Sequence, residues 1–83
     1  MIQVNDRYAI DSDKDQWKIM KNRLVKETLE WRPEGFYSTL GAAVRDLGQQ
    51  MLRGSEYSSM DQLLDNAKEI NKLLERSFPQ IDG

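Results

Sequence analysis

The chain has 83 residues, 12 basic and 14 acidic side chains, a formal net charge of −2 and a mean hydropathy of −0.74. A single domain of this length buries only about 60% of the surface its unfolded chain exposes, so it has one thin core and no room for a deep pocket on a catalytic scaffold. No run approaches the roughly 18–20 apolar residues of a membrane span, no basic stretch leads into an apolar leader, and no cysteine is present. These features predict a soluble, cytoplasmic protein without disulfides.

The first third of the chain alternates. In "RYAID" (7–11), Tyr8 and Ile10 share one side, as in a short strand. "SDKD" (12–15) is a cluster of turn formers. "QWKIMKN" (16–22) then puts Trp17 and Ile19 on one face and Lys18 and Met20 on the other, which predicts an antiparallel hairpin. A weaker third run, "TLEWR" (28–32), places Leu29 and Trp31 on one face. "PEG" (33–35) is read as the turn that closes the sheet region.

The rest is helical. Ser38 is the expected N-cap of a helix over about 39–53, with Leu40, Ala43, Val44, Leu47 and Met51 as its apolar stripe and Gly54 as the residue after its end. Two glycines, Gly41 and Gly48, lie seven apart inside this helix. Each costs about 1 kcal/mol relative to alanine, yet they fall within about 20° of each other and form one smooth strip. The spacing predicts either close crossing by another element or approach of a partner's backbone. Ser59 and Gln62 form a capping-box pattern ahead of a second helix over about 60–77. Its stripe is Met60, Leu63, Leu64, Ala67, Ile70 or Asn71, and Leu74. The expected fold is α+β: a two- or three-stranded antiparallel sheet over 6–36, followed by a helical hairpin. Both helices are expected to cover the face carrying Tyr8, Ile10, Trp17, Ile19, Leu29 and Trp31.

The absence of histidine and cysteine removes thiol nucleophiles, Ser–His catalysis, imidazole proton transfer and His/Cys zinc sites. Neither a GxxxxGK[ST] loop nor a GxGxxG motif is present. The one ligand-like run is "DSDKD" (11–15), whose D-x-D-x-D spacing starts a calcium loop. Gln16 then stands where the loop needs glycine, and Asn22 where it needs glutamate, so the run reads as an Asx turn. The sequence predicts no enzyme, no catalytic residues, no cofactor and no metal.

Charge is unevenly distributed. Residues 16–32 carry a net +3, and the flanking regions are acidic. Lys18, Lys21, Arg23 and Lys26 form a basic run that is either a solvated, aggregation-resistant strand face or a contact surface for phosphates or an acidic protein. Glu56, Asp61, Asp65 and Glu69 mark the start of the second helix as acidic, which is either a solvated face or a surface for a basic groove. These eight residues are the candidate partner-binding set.

Tyr8, Ile10 and Asp13, then Trp17 and Ile19, then Gly35, Phe36, Tyr37, Thr39 and Leu40 leading into Ala42 and Ala43, form a pattern over residues 7–77. It resembles a group of small uncharacterised phage- and prophage-encoded proteins. The resemblance implies an accessory product of a mobile element that binds, and inhibits or modulates, a host or phage protein in an infected or lysogenic bacterium. A defence complex such as a CRISPR effector is one such target. The alternatives are a small nucleic-acid-binding protein that uses the basic strand, and a structural homodimer joined through a free sheet edge or the helical pair.

Overall fold

The computed structural model describes residues 1–79. Four strands, β1 (Ile2–Gln3), β2 (Tyr8–Ser12), β3 (Trp17–Val25) and β4 (Thr28–Tyr37), form an antiparallel sheet in the order β1-β2-β3-β4. Two helices follow, α1 (Leu40–Arg53) and α2 (Met60–Ser77). The α+β arrangement and both helix spans agree with the sequence reading, and the third strand forms. The sheet exceeds the expected three strands because Ile2 and Gln3 add a short edge opposite Ile10 and Ala9.

The first turn is built as its residues predict. The Asp13 carboxylate accepts from the backbone N–H groups of Asp15 (2.9 Å) and Gln16 (3.0 Å), so its charge is spent on closing the β2–β3 hairpin. Those bonds, that from Asp15 foremost, hold its carboxyl below the usual range. The second turn has no such signature. Lys26 and Glu27 alone separate Val25 from Thr28, and both have positive φ (49° and 69°), the mark of a type I′ turn. Asn-Gly usually marks this turn. Here a Lys-Glu pair adopts it at some conformational cost, because the long β3–β4 ladder holds the strands together.

"PEG" is not the end of the sheet. Pro33, Glu34 and Gly35 lie within β4, which runs on to Tyr37. Ile19 faces Gly35 and Met20 faces Pro33, so Glu34 is a bulged residue without an opposite. One extra residue inverts the side-chain alternation. Gly35 and Tyr37 therefore share the face of Trp17 and Ile19, whereas Leu29, Trp31 and Pro33 lie across from Leu24, Asn22 and Met20 on the other face. This corrects the expectation that Leu29 and Trp31 join the core.

The core is Val4, Tyr8, Ile10 and Ile19 from the sheet with Ala43, Leu47 and Met51 from α1 and Leu74 and Phe78 from α2 and its end. Helix α1 lies on β2, β3 and β4, and α2 packs chiefly on α1. Only the C-terminal end of α2 reaches the core. Met60 and Leu64, expected in the buried stripe, are exposed. The rest of the expected line, Leu63, Ala67, Ile70 and Leu74, does face inward and is joined by Leu73.

Helix boundaries shift slightly from the sequence reading. Thr39, not Ser38, caps α1 by accepting from Ala42 N–H, because β4 carries the chain one residue further before it turns. Gly54 follows the end of α1 as expected, in a right-handed conformation with φ −86°. Ser59 caps α2 as predicted, accepting from Gln62 N–H, while the Gln62 side chain reaches back to Ser58 N–H.

Candidate protein-binding face

The predicted basic site does not assemble. Lys18 lies on the outer face of the sheet, between Asp11 and Phe36 in the register. Lys21 and Arg23 lie on the opposite face. The Lys21 ammonium is 5.6 Å from the centre of the Tyr8 ring, and Arg23 is ion-paired with Glu34. Lys26 occupies the β3–β4 turn. Alternation along a strand divides what a charge count along the sequence groups together.

The acidic set is partly assembled. Asp61, Asp65 and Glu69 are spaced at i, i+4 and i+8 along α2 and all three are exposed. Glu56 lies apart in the connecting loop, where its carbonyl accepts from the Asn66 side chain. Glu69 makes a loose ion pair with Lys72 (3.9 Å), which dilutes the negative stripe.

The surface the sequence reading missed is the outer face of the sheet. Leu24 and Leu29 form a cross-strand pair beside the type I′ turn, 69% and 66% exposed. Phe36, across from Lys18 at the other end of β4, is 55% exposed. Half-buried Trp31 and exposed Pro33 lie between them on the same strand face. Ala43, Leu47, Met51, Leu74 and Phe78 all join the face of Ile10 and Ile19. On the outer face Ala9 and Met20 are buried, and exposure is concentrated at Leu24 and Leu29 beside the turn and at Phe36. The signal was present as two alternating runs around "KE", with Leu24 and Leu29 symmetric about the turn. It was hidden because Lys-Glu is an unusual type I′ pair and because the bulge at Glu34 is invisible in the hydropathy pattern.

The helices form a second concavity, a groove of about 420 Å³ lined by Gly41, Val44, Gly48, Ala67, Ile70 and Leu74, among others. The glycine strip is divided between the two roles the sequence allows. A methyl group built on Gly48 would stand 3.1 Å from Leu74 Cδ1, so α2 crosses closely there, whereas one built on Gly41 would meet nothing within 4 Å. Gly41→Ala is therefore expected to stabilise the fold by about 0.5–1 kcal/mol through helix propensity alone. Gly48→Ala is expected to yield less, or a loss, because the buried Leu74 must give way. Urea denaturation of the two variants side by side checks this order.

A hydrogen-bonded polar pair, Tyr37 and Asp46, ties the sheet edge to α1. The Tyr37 hydroxyl donates to Asp46 Oδ2, which also accepts from Gln50 Nε2 (3.2 Å). Burial, and then the Asp46 carboxylate, push the Tyr37 phenol up to about 12 from 10.0. The Tyr37 hydrogen bond in turn holds the Asp46 carboxyl below its ordinary value of 3.8. Both groups are engaged with each other.

The pair has a pH signature. Because folding depresses the Asp46 pKa, its stabilisation is present above the unfolded value of 3.8 and is lost as pH falls through the folded value. Because folding raises the Tyr37 pKa, the unfolded chain releases that proton first, and stability declines between pH 10 and about 12. Tyr37→Phe is expected to lower stability by about 2 kcal/mol near neutrality, the value of a hydrogen bond to a charged group. It is also expected to flatten both slopes, which thermal melts across pH would reveal.

No protein-family model matches this chain, and no curated protein and no solved structure is significantly similar to it. Among the described residues, no helix is long and apolar enough to cross a membrane.

Proposed function

We propose that the protein is a non-enzymatic binding module that docks on another protein through the outer face of its sheet. The observation that carries this reading is the exposed apolar row Leu24, Leu29 and Phe36, with Trp31 among them, on the sheet face opposite the helices. Exposed apolar patches rich in aromatics mark protein interfaces, where a few such side chains supply most of the binding energy. The dispersal of Lys18, Lys21, Arg23 and Lys26 over two faces and a turn weighs against a nucleic-acid groove, which needs cations on one surface.

The resemblance to phage-encoded proteins directs the partner search to a bacterial host. In this reading the protein acts by occluding a surface of its target, and a nucleic-acid-handling or defence complex such as a CRISPR effector is the first target to try.

Immobilised protein tests the proposal against host lysate. A stoichiometric protein partner retained by wild type and by Lys18→Glu/Lys21→Glu, but lost from Leu24→Glu/Phe36→Glu, is the expected result. Recovery of nucleic acid alone, lost on the lysine changes, would transfer the function to the basic residues. A partner held equally by all three forms would remove the sheet face from the binding site.

A further inference from the structure

Among the described residues, the sheet has one long unpaired edge. Among the described residues, β4 is the outermost strand over ten residues and pairs only with β3, whereas the opposite edge, β1, is two residues long. The type I′ turn sets which backbone groups face that edge. Thr28 N–H closes the turn on Val25, so the alternation of an antiparallel ladder turns the N–H and C=O groups of Leu29 and Trp31 away from β3. Pro33 is next in the same phase, and its missing N–H falls on the open side, where a proline is tolerated in a sheet.

We propose that two copies of this chain join edge to edge through β4, antiparallel about a two-fold axis beside Trp31. Trp31 then exchanges both backbone hydrogen bonds with its copy, and the N–H of Leu29 reaches the C=O of Pro33 in the second chain. The charge pattern of the strand selects this register. Glu30 and Arg32 flank Trp31, project from the other face of the strand, and are exposed and paired with each other at 2.8 Å. Centring the axis on Trp31 sets Glu30 of one copy opposite Arg32 of the other, twice. Moving it to Glu30 or to Arg32 sets like charges directly opposite, which destabilises a ladder.

The same axis makes the outer row of Leu29, Trp31 and Pro33 continuous across the two chains. The contact is isologous and closes on itself, and the two-residue β1 edge is too short to propagate the sheet further.

Sedimentation equilibrium and multi-angle light scattering on the purified full chain test this. Wild type is expected to be a dimer at high micromolar concentration. Glu30→Arg and Arg32→Glu each place like charges across the axis and are expected to weaken the dimer at least tenfold, with circular dichroism unchanged because both side chains are exposed. The double swap Glu30→Arg/Arg32→Glu restores opposite pairs and is expected to restore the dimer. Leu29→Pro removes an edge-facing N–H without touching the β3 ladder and is expected to give a monomer. A wild-type chain that stays monomeric at millimolar concentration overturns the proposal, as does a dimer indifferent to the single swaps. None of these variants alters Leu24 or Phe36, so loss of self-association and loss of a heterologous partner are read separately.

Discussion

Ile19→Ala is expected to destabilise the protein by about 3–4 kcal/mol, the upper part of the range for deleting a buried branched side chain. Ile19 is fully buried. It sits on β3, which is paired on both sides, with Ile10 opposite on β2 and Gly35 opposite on β4. α1 closes the same core with Ala43 and Leu47, both also fully buried. A central strand held by two ladders cannot move in to fill the space, and neither Gly35 nor Ala43 has a side chain that can swing across. The cavity therefore remains, and its cost adds to the lost transfer energy. A domain of this size has a total stability of roughly 4–12 kcal/mol, so the loss is a large share of it. Urea denaturation measures the effect directly. A loss below about 1 kcal/mol would mean that α1 does not rest on β3 as described.

Gly35→Ala is the second large effect, expected at about 2–3 kcal/mol, and its mechanism is local. Gly35 and Tyr37 stand on the same face of β4, and the Tyr37 ring lies back over the glycine. A methyl group added at Gly35 would stand 2.5 Å from the Tyr37 hydroxyl and 3.0 Å from two ring carbons. The ring must leave, which breaks the hydrogen bond to Asp46 and strips the edge of its link to α1. Glycine is required here for a close approach and not for its backbone freedom. A double-mutant cycle isolates the cause. In a Tyr37→Ala background, Gly35→Ala is expected to cost almost nothing; an undiminished cost there would falsify the account.

The two largest misreadings of the sequence share a physical origin. Hydropathy alternation assigns faces correctly as long as each strand pairs residue for residue, as Tyr8, Ile10, Trp17 and Ile19 do. It fails in β4, where the two-residue turn sets Leu29 and Trp31 opposite Leu24 and Asn22 on the outer face, and one bulged residue at Glu34 then returns Gly35 and Tyr37 to the core side. Trp31 and Leu29 look like core residues on their spacing and are surface residues in the fold. The basic run failed for a related reason: residues adjacent in sequence lie on opposite faces of a strand, so a local net charge is not a local surface charge. On the helices the misreading is milder. The stripe of α1 is sound because that helix crosses the sheet. The N-terminal half of α2 does not bury its stripe because only its far end, at Leu74 and Phe78, reaches the core.

Local chemistry alone determined the two helices and their approximate spans, the Ser59 cap, the Asx turn at Asp13 and the α+β class. Each depends on interactions within a few residues or on a periodicity that one element expresses by itself. Only the tertiary structure decided the direction of Leu29 and Trp31, the division of the glycine strip between a tight crossing at Gly48 and an open groove at Gly41, and the exposure of the outer face. Those depend on register, on a bulge set by the opposing strand and on where α2 lies. Such long-range pairings have energies that no window of sequence contains.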